Sequence, residues 1–269
     1  ANGGDFGRPD RWLTSVLQAR IKAVSEALEE LRTRTALSTA FYEIWNDLRW
    51  YLRRKMGRPH GPTVRWAIET WVKLMAPFAP HICEELWERL GREGFISLAE
   101  WPEPDESKID VEAEEGEVLI RGVLEDLHEV LKVLKVRKPK RICLYVASAW
   151  KWRAYMAVLE AFRTGKPDMK AVMRELMADP ELRARAKEVA SLVKQLIEDI
   201  MDIAPEERER RLKLGELDEL GVLEEASAFL ARETGAGEVL VFREDDPKRY
   251  DPKGRARLAR PYRPAIYVE

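Results

Sequence analysis

At 269 residues, 45% of them hydrophobic, the chain is long enough for two ordinary domains with cores of their own. Charged residues make up 35% yet sum to a net charge of only -2, so any attraction to nucleic acid has to come from local patches. Two cysteines far apart in sequence, Cys83 and Cys143, exclude a disulfide framework and a four-ligand zinc site, and the apolar runs fall far short of a membrane span. The expected setting is therefore a reducing cytoplasm, with no membrane among the partners. So dense a mixture of both signs also fits the ion-pair networks of heat-adapted proteins. The loose stretch from Ala1 to Pro9 reads as a cut end, which would leave further function upstream.

Helical periodicity dominates the first hundred residues. Behind a candidate cap at Asp10, Trp12, Val16, Ile21, Val24, Leu28 and Leu31 recur at helical spacing. A second helix follows the i, i+3, i+4, i+7 rule through Leu37, Ala40, Phe41, Ile44, Leu48, Tyr51 and Leu52. Burying each large member of that stripe is worth roughly 1.5–3 kcal/mol. Gly57, Pro59, Gly61 and Pro62 break the chain, and Pro62 suits the first turn of a third helix carrying Val64, Ala67, Ile68, Trp71, Leu74 and Met75. Pro77 and Pro80 end it, because an interior proline costs about 3 kcal/mol. A fourth helix runs from His81 to Leu90. These segments predict an antiparallel helical bundle with short connections.

The acidic, proline-rich stretch from Trp101 to Ser107 reads as a linker, which divides the chain into 1–105 and 106–269. Beyond it Leu119, Val123, Leu127, Val130, Leu131 and Leu134 form a helical stripe. Strands are expected at Arg141–Ala147, Glu238–Phe242 and Ala265–Val268. Helices are expected at Trp150–Arg163, Met169–Met177, Ala184–Ile200 and Glu224–Glu233, the last stopped by Gly235. The fold class is thus mainly α, a helical bundle followed by a small α+β domain. The tract from Asp245 to Arg263, basic and poor in hydrophobic residues, reads as a mobile loop.

Signs of catalysis are missing. No glycine-rich phosphate loop is present, and His60, His81 and His128 are too scattered for a triad or a metal site. His81 and Cys83 would need further ligands, and pairs such as Glu84–Glu85 and Glu114–Glu115 read as solvated helix faces. No catalytic residue, metal ligand or cofactor is expected within the chain.

Two basic features remain. In the first, no acid interrupts the run between Leu48 and Ile68, and Asn46, Arg49 and Arg53 share the helix side away from the apolar stripe. Arg54 lies one turn from Trp50 and could stack on it. Arginine forks beside aromatics suit a nucleic-acid groove, and a solvated helix face explains them equally well. The second is the stretch from Arg260 and Arg263 to the end. There a terminal strand, Ile266, Tyr267, Val268 and Glu269, could offer backbone groups and a ring to unstacked bases, or could simply close a sheet as a charged edge.

Three segments carry a resemblance: Asp10–Leu13, Phe41–Tyr51 and Met75–Trp87. Together they resemble the anticodon-binding helical domain of class I aminoacyl-tRNA synthetases. The run Trp45-Asn-Asp-Leu-Arg-Trp-Tyr51 is similar to the leucine enzymes of archaeal and eukaryotic cytosolic type. Glu125–Asp126, Trp150-Lys-Trp152 and the final Pro264–Glu269 are similar to the carboxy-terminal domain of the archaeal ones. The likeness covers nearly everything from Asp10 onward. It implies a parent reaction, ATP-dependent attachment of leucine to tRNA(Leu), with ATP and Mg used by the parent enzyme. Its HIGH and KMSKS motifs lie in an upstream catalytic domain, and Arg58-Pro-His-Gly61 and Lys55-Met-Gly57 echo them only superficially.

The implied partners are tRNA(Leu) and the catalytic domain of the same enzyme. The resemblance makes Arg49 and Arg53, with Asn46 and Arg54 beside them, phosphate-contact candidates. Ile266, Tyr267, Val268 and Glu269, with Arg260 and Arg263, become candidates for the tip of the long variable arm. Three alternatives remain open: the equivalent part of an isoleucyl, valyl or methionyl enzyme, a free-standing RNA-binding subunit, or a helical scaffold with no RNA role.

Overall fold

Helix α1 spans Arg8–Glu29 with Gly7 at its cap, three residues earlier than a cap at Asp10 would place it. Asp10 sits in the first turn with a fully buried carboxylate that accepts from the Gly7 amide (2.9 Å), the Tyr51 hydroxyl (2.6 Å) and the Lys55 ammonium (2.8 Å). An acid there also meets the positive end of the helix dipole. The computed structural model describes residues 3–163, 165 and 167–269. These fall into two compact units, Ala1–Glu117 and Val118–Glu269. As expected, the architecture is mainly α, helices followed by a small α+β part.

The helix expected over Leu37–Leu52 is interrupted. α2 (Thr33–Ser38) passes into one wide π-turn, Thr39–Glu43, before α3 (Ile44–Arg54) resumes. A π-turn inserts an extra residue and rotates the apolar stripe. Ala36, Ala40, Ile44, Leu48 and Tyr51 are buried, while Leu37 and Leu52 face solvent. α4 (Gly61–Met75) carries Pro62 in its first turn, where the absent amide costs no hydrogen bond. α5 (Pro80–Arg89) starts on Pro80 itself, so that proline opens a helix and Pro77 lies in the break.

The core of this unit gathers Leu13, Leu17 and Ile21 of α1, Ile44 and Tyr51 of α3, Leu74 of α4 and Cys83 of α5. Residues 106–117 belong to it as well. The amide of Asp105 donates to Gln18 and that of Asp110 to Ser15 (each 2.8 Å). The Ser15 hydroxyl in turn donates to Glu114 (2.6 Å), in the opening turns of α6 (Val111–Leu134).

In the second unit β1 (Arg141–Val146) is the central strand of three. It runs parallel to β2 (Glu238–Arg243), with Arg141 opposite Glu238, and antiparallel to β3 (Ala265–Val268), with Ile142 opposite Val268. Five successive buried residues mark β1 as covered on both faces. The parallel pair needs a crossover, and here it holds α7 (Ala149–Phe162), α8 (Met169–Leu176), α9 (Pro180–Ala184), α10 (Ala186–Met201), α11 (Pro205–Leu214) and α12 (Glu219–Thr234). Gly235 stops α12 in the left-handed conformation (φ 69°), as its position suggested.

The helix expected over Ala184–Ile200 is broken at Arg185. α11 has no counterpart among the expected elements, since its sequence, Pro205-Glu-Glu-Arg-Glu-Arg-Arg-Leu-Lys-Leu214, offers almost no apolar stripe.

The tract from Asp245 to Arg263 is a folded cover rather than a mobile loop. Ala256 and Ala259 are buried against Cys143, Tyr145 and Ala265 on one face of the sheet. The Asp251 carboxylate caps the turn by accepting from the amides of Arg255 (2.7 Å) and Ala256 (3.0 Å).

The rotated stripe sets up a paired test. Ile44→Ala should cost about 2–5 kcal/mol in chemical denaturation, whereas Leu37→Ala should cost under about 1 kcal/mol. Equal losses would mean that the stripe runs unbroken through Thr39–Glu43.

Candidate nucleic-acid interface

The charges of α3 are sorted by side. Asp47 accepts from the Arg20 guanidinium (2.8 Å), which also holds Glu43, so both acids of this stretch are neutralised against α1. At the far end the Arg54 Nε donates to Glu117 (3.0 Å), and the Trp50 indole N–H donates to the same carboxylate (2.7 Å). The side chains of Arg54 and Glu117 are 2% and 1% exposed. Arg54 is therefore a buried structural cation and cannot reach a phosphate, which corrects its place among the candidate contacts. Arg54 and Trp50 thus meet on one carboxylate, and Arg53 covers the Trp50 ring, its guanidinium 5.7 Å from the centroid. A residue one turn away can share a partner instead of a face, and spacing alone does not distinguish the two. Lys55 is also engaged, by Asp10 and by the Asp5 carbonyl (2.6 Å).

Asn46, Arg49 and Arg53 remain on the exposed side, as their spacing indicated. Arg49 has no hydrogen-bond or ion-pair partner among the described residues. The structure adds two side chains that the sequence reading passed over. Tyr42 is 67% exposed and Trp45 45% exposed, one turn before Asn46 and Arg49, and Trp45 stacks on Trp71 (5.8 Å). The signal was present in the sequence as aromatics at i and i+3 leading into Asn46 and Arg49. This side of the helix offers cations and rings together, the combination that binds a sugar–phosphate backbone and exposed bases.

In the second unit, Arg260 and Arg263 converge on Asp199 of α10, at 3.0 and 3.7 Å. Arg260 is mostly covered, whereas Arg263 keeps most of its surface in solvent. β3 is an edge strand. Tyr267 lies on the covered face beside Tyr250 (6.2 Å), and Ile266 and Val268 alternate to the other face, all half-buried. Glu269 is tied down, its carbonyl accepting from the amides of Lys140 (2.7 Å) and Arg141 (3.1 Å). The terminal strand is thus held in place, with one edge paired and one edge open.

A buried ammonium organises what feeds this strand. Lys151 Nζ donates to Glu244 (2.6 Å) and to the carbonyls of Arg257 (2.9 Å) and Ala259 (2.6 Å). Below the next turn, the buried Glu219 carboxyl accepts from the Tyr262 amide (2.5 Å), and Tyr262 is held at φ 62°.

Among the described residues no group of three His, Cys, Asp or Glu side chains could hold a metal ion. A cleft of about 660 Å³ bordered by α7, α8 and α11 has Met156 and Leu176 in its lining, and its rim is closed by the pairs Arg153–Asp179 and Arg163–Glu209. No helix of the described residues is long and apolar enough to cross a membrane.

Comparison with known proteins decides the family. Residues 10–144 match the family described as the anticodon-binding domain of tRNA ligase. The chain belongs to that family. Relatives named leucine–tRNA ligase extend the likeness past the matched region. That of Pyrococcus abyssi is 44% identical over 263 residues, covering 97% of this chain and 25% of its own length. Those of Pyrococcus furiosus (43% over 263 residues) and Methanothrix thermoacetophila (42% over 260 residues) each cover 97% of the chain too. The chain spans about a quarter of the length of these curated relatives. The family match takes in all of α3 and its exposed Arg49.

Glu219 gives the terminal segment a pH signature. Burial pushes its carboxyl from an ordinary 4.5 up to about 8, against the opposing hydrogen bond from Tyr262. Between those values the folded state keeps a proton that the unfolded chain releases, so stability falls as pH rises through that window and levels off above it. The fall is on the order of a few kcal/mol. Thermal melts of Glu219→Gln between pH 5 and pH 9 should show a distinctly flatter slope than the unmodified chain. Identical slopes would mean that Glu219 is not a buried neutral acid.

Proposed function

We propose that this chain is the tRNA-holding portion of a leucine–tRNA ligase. It would dock tRNA(Leu) while a catalytic domain of the same enzyme, outside this chain, carries out ATP-dependent leucylation with Mg. In this reading ATP and Mg belong to that other part of the enzyme. The observation that carries the reading is the sorted face of α3. Its acids are consumed by Arg20, and Arg49 is left exposed in a chain whose relatives bear the ligase name over 97% of its length.

In this reading the first domain, taken as residues 1–105 with 106–117 packed on it, contacts the body of the tRNA through Asn46, Arg49 and Arg53. The second, residues 106–269, contacts the tip of the long variable arm. Arg263, Ile266, Tyr267, Val268 and Glu269 supply the contacts there, with Arg260 steadied by Asp199. The open edge of β3 supports this assignment, because unpaired backbone groups beside half-buried rings suit unstacked bases. A cytoplasmic location goes with the same reading.

Anisotropy titrations with tRNA(Leu), intact or lacking its long arm, test it. The intact tRNA should bind at least tenfold more tightly, and removing residues 266–269 should erase that preference. Arg49→Gln should weaken both complexes several-fold and make the log-log salt dependence shallower by about 0.7–0.9. Equal binding of all tRNAs would assign the chain to another class I enzyme, and no binding at low salt would leave a scaffold.

A further inference from the structure

A groove of about 780 Å³ opens in the second unit between α10 and the segment 257–260. Its two walls present donors rather than balanced ion pairs. Lys187, Ser191 and Gln195 succeed one another at i, i+4 and i+8 along α10, all exposed on one helix face. Across from them stands Arg257, also exposed. The side chains of these four make no hydrogen bond or ion pair among the described residues. By contrast, the cleft closed by Arg153 and Arg163 spends both of those arginines on neighbouring acids.

The surroundings deepen the contrast. The carbonyls of Arg257 and Ala259 would be competing acceptors, but the buried Lys151 ammonium occupies both. Asp199, further along α10, is consumed by Arg260 and Arg263. Arg185 adds a further cation at one end, its guanidinium 5.6 Å from the Trp150 ring. One acid, Glu188, lines the groove. From Lys187 to Gln195 the donors extend about 12 Å along the helix at 1.5 Å per residue. That length accommodates more than one successive phosphate of a single strand.

We propose that this groove is a second RNA-backbone site, in which Lys187 and Arg257 pair with phosphates of a single strand while Ser191 and Gln195 donate to its phosphate or ribose oxygens. The site holds backbone and carries no sequence information, since every donor in it is directed at groups common to all nucleotides. It rests on the reading that the chain binds tRNA, and its four donors are none of the residues assigned to contact above.

Anisotropy of labelled tRNA(Leu) against the whole chain, in stepped salt, tests the site. The double variant K187Q/R257Q should bind at least tenfold more weakly, with a log-log salt slope shallower by about 1.5, two contacts' worth. The control K194Q/K248Q removes the same charge outside the groove and should lose less than threefold. Binding by K187Q/R257Q equal to the unmodified chain overturns the groove and leaves the tRNA reading standing. An equal loss in the control overturns it as well, because the effect would be one of net charge. Failure of the unmodified chain to bind tRNA at low salt overturns both. Circular dichroism of each variant should be unchanged, as all four side chains are exposed and unpaired.

Discussion

The exposed face of α3 exists because a buried carboxylate fixes the other face. Glu117 collects the Arg54 guanidinium and the Trp50 indole, and Asp10 collects Tyr51 and Lys55 from the same helix. Breaking a buried pair by removing one partner costs about 3–5 kcal/mol, since the remaining charge has no solvent to turn to. Such a penalty forbids a rotation of α3 that hydrophobic packing alone would tolerate, because a stripe of mixed aliphatic and aromatic side chains can settle in more than one way. Two anchors on successive turns set the angle of the helix. The direction in which Arg49 and Arg53 point follows from that angle.

The second unit solves a similar problem with the opposite sign. Its cover segment contains few residues that could hold it by apolar burial, and alanine supplies little area for the hydrophobic effect to act on. One ammonium does the fixing: Lys151 draws in two carbonyls and a carboxylate, and Asp251 closes the turn before them. Because these groups are desolvated, each is costly to leave unmet, so the segment is specified by polar satisfaction more than by bulk. The terminal strand inherits its position from this arrangement, being separated from it by a single tight turn at Tyr262.

Much of this was legible in the sequence. Helical and strand periods located most of the elements, and the three strands stand within a residue or so of where their β-branched runs place them. What could not be read has identifiable causes. The π-turn at Thr39–Glu43 leaves the apolar residues nearly periodic, so the rotated stripe emerges only from the burial of Ile44 against the exposure of Leu37. α11 is helical without a stripe, held in place by Arg211 through the Tyr155 hydroxyl (2.9 Å). Arg54 looked like its neighbours because a run of arginines carries no mark of which member is buried. Its partner, Glu117, lies sixty-three residues away in sequence. The order of the cover segment was invisible for a related reason, as composition registers the charges of Lys253, Arg255 and Arg257 and not the two alanines that pack.

The same reasoning explains how a chain with slightly more acids than bases can present cationic surfaces. Net charge is a sum over all groups, and a ligand meets only the groups left uncompensated at one place. In the first unit Arg20 neutralises Asp47 and Glu43, so the acids of α3 contribute no field on its outer side. In the second, Asp199 serves Arg260 and Arg263, and Glu244 serves Lys151, so two acids close to the groove are spent in holding structure while Glu188 lines it. Each acid paired inside removes a repulsive charge from the nearby surface and costs nothing in solubility. Local basicity is thus produced by where the acids go, and a residue count cannot reveal it. The relevant quantity is the number of exposed cations lacking a partner on a given face, which for Arg49, Lys187 and Arg257 is set by the pairing of their neighbours.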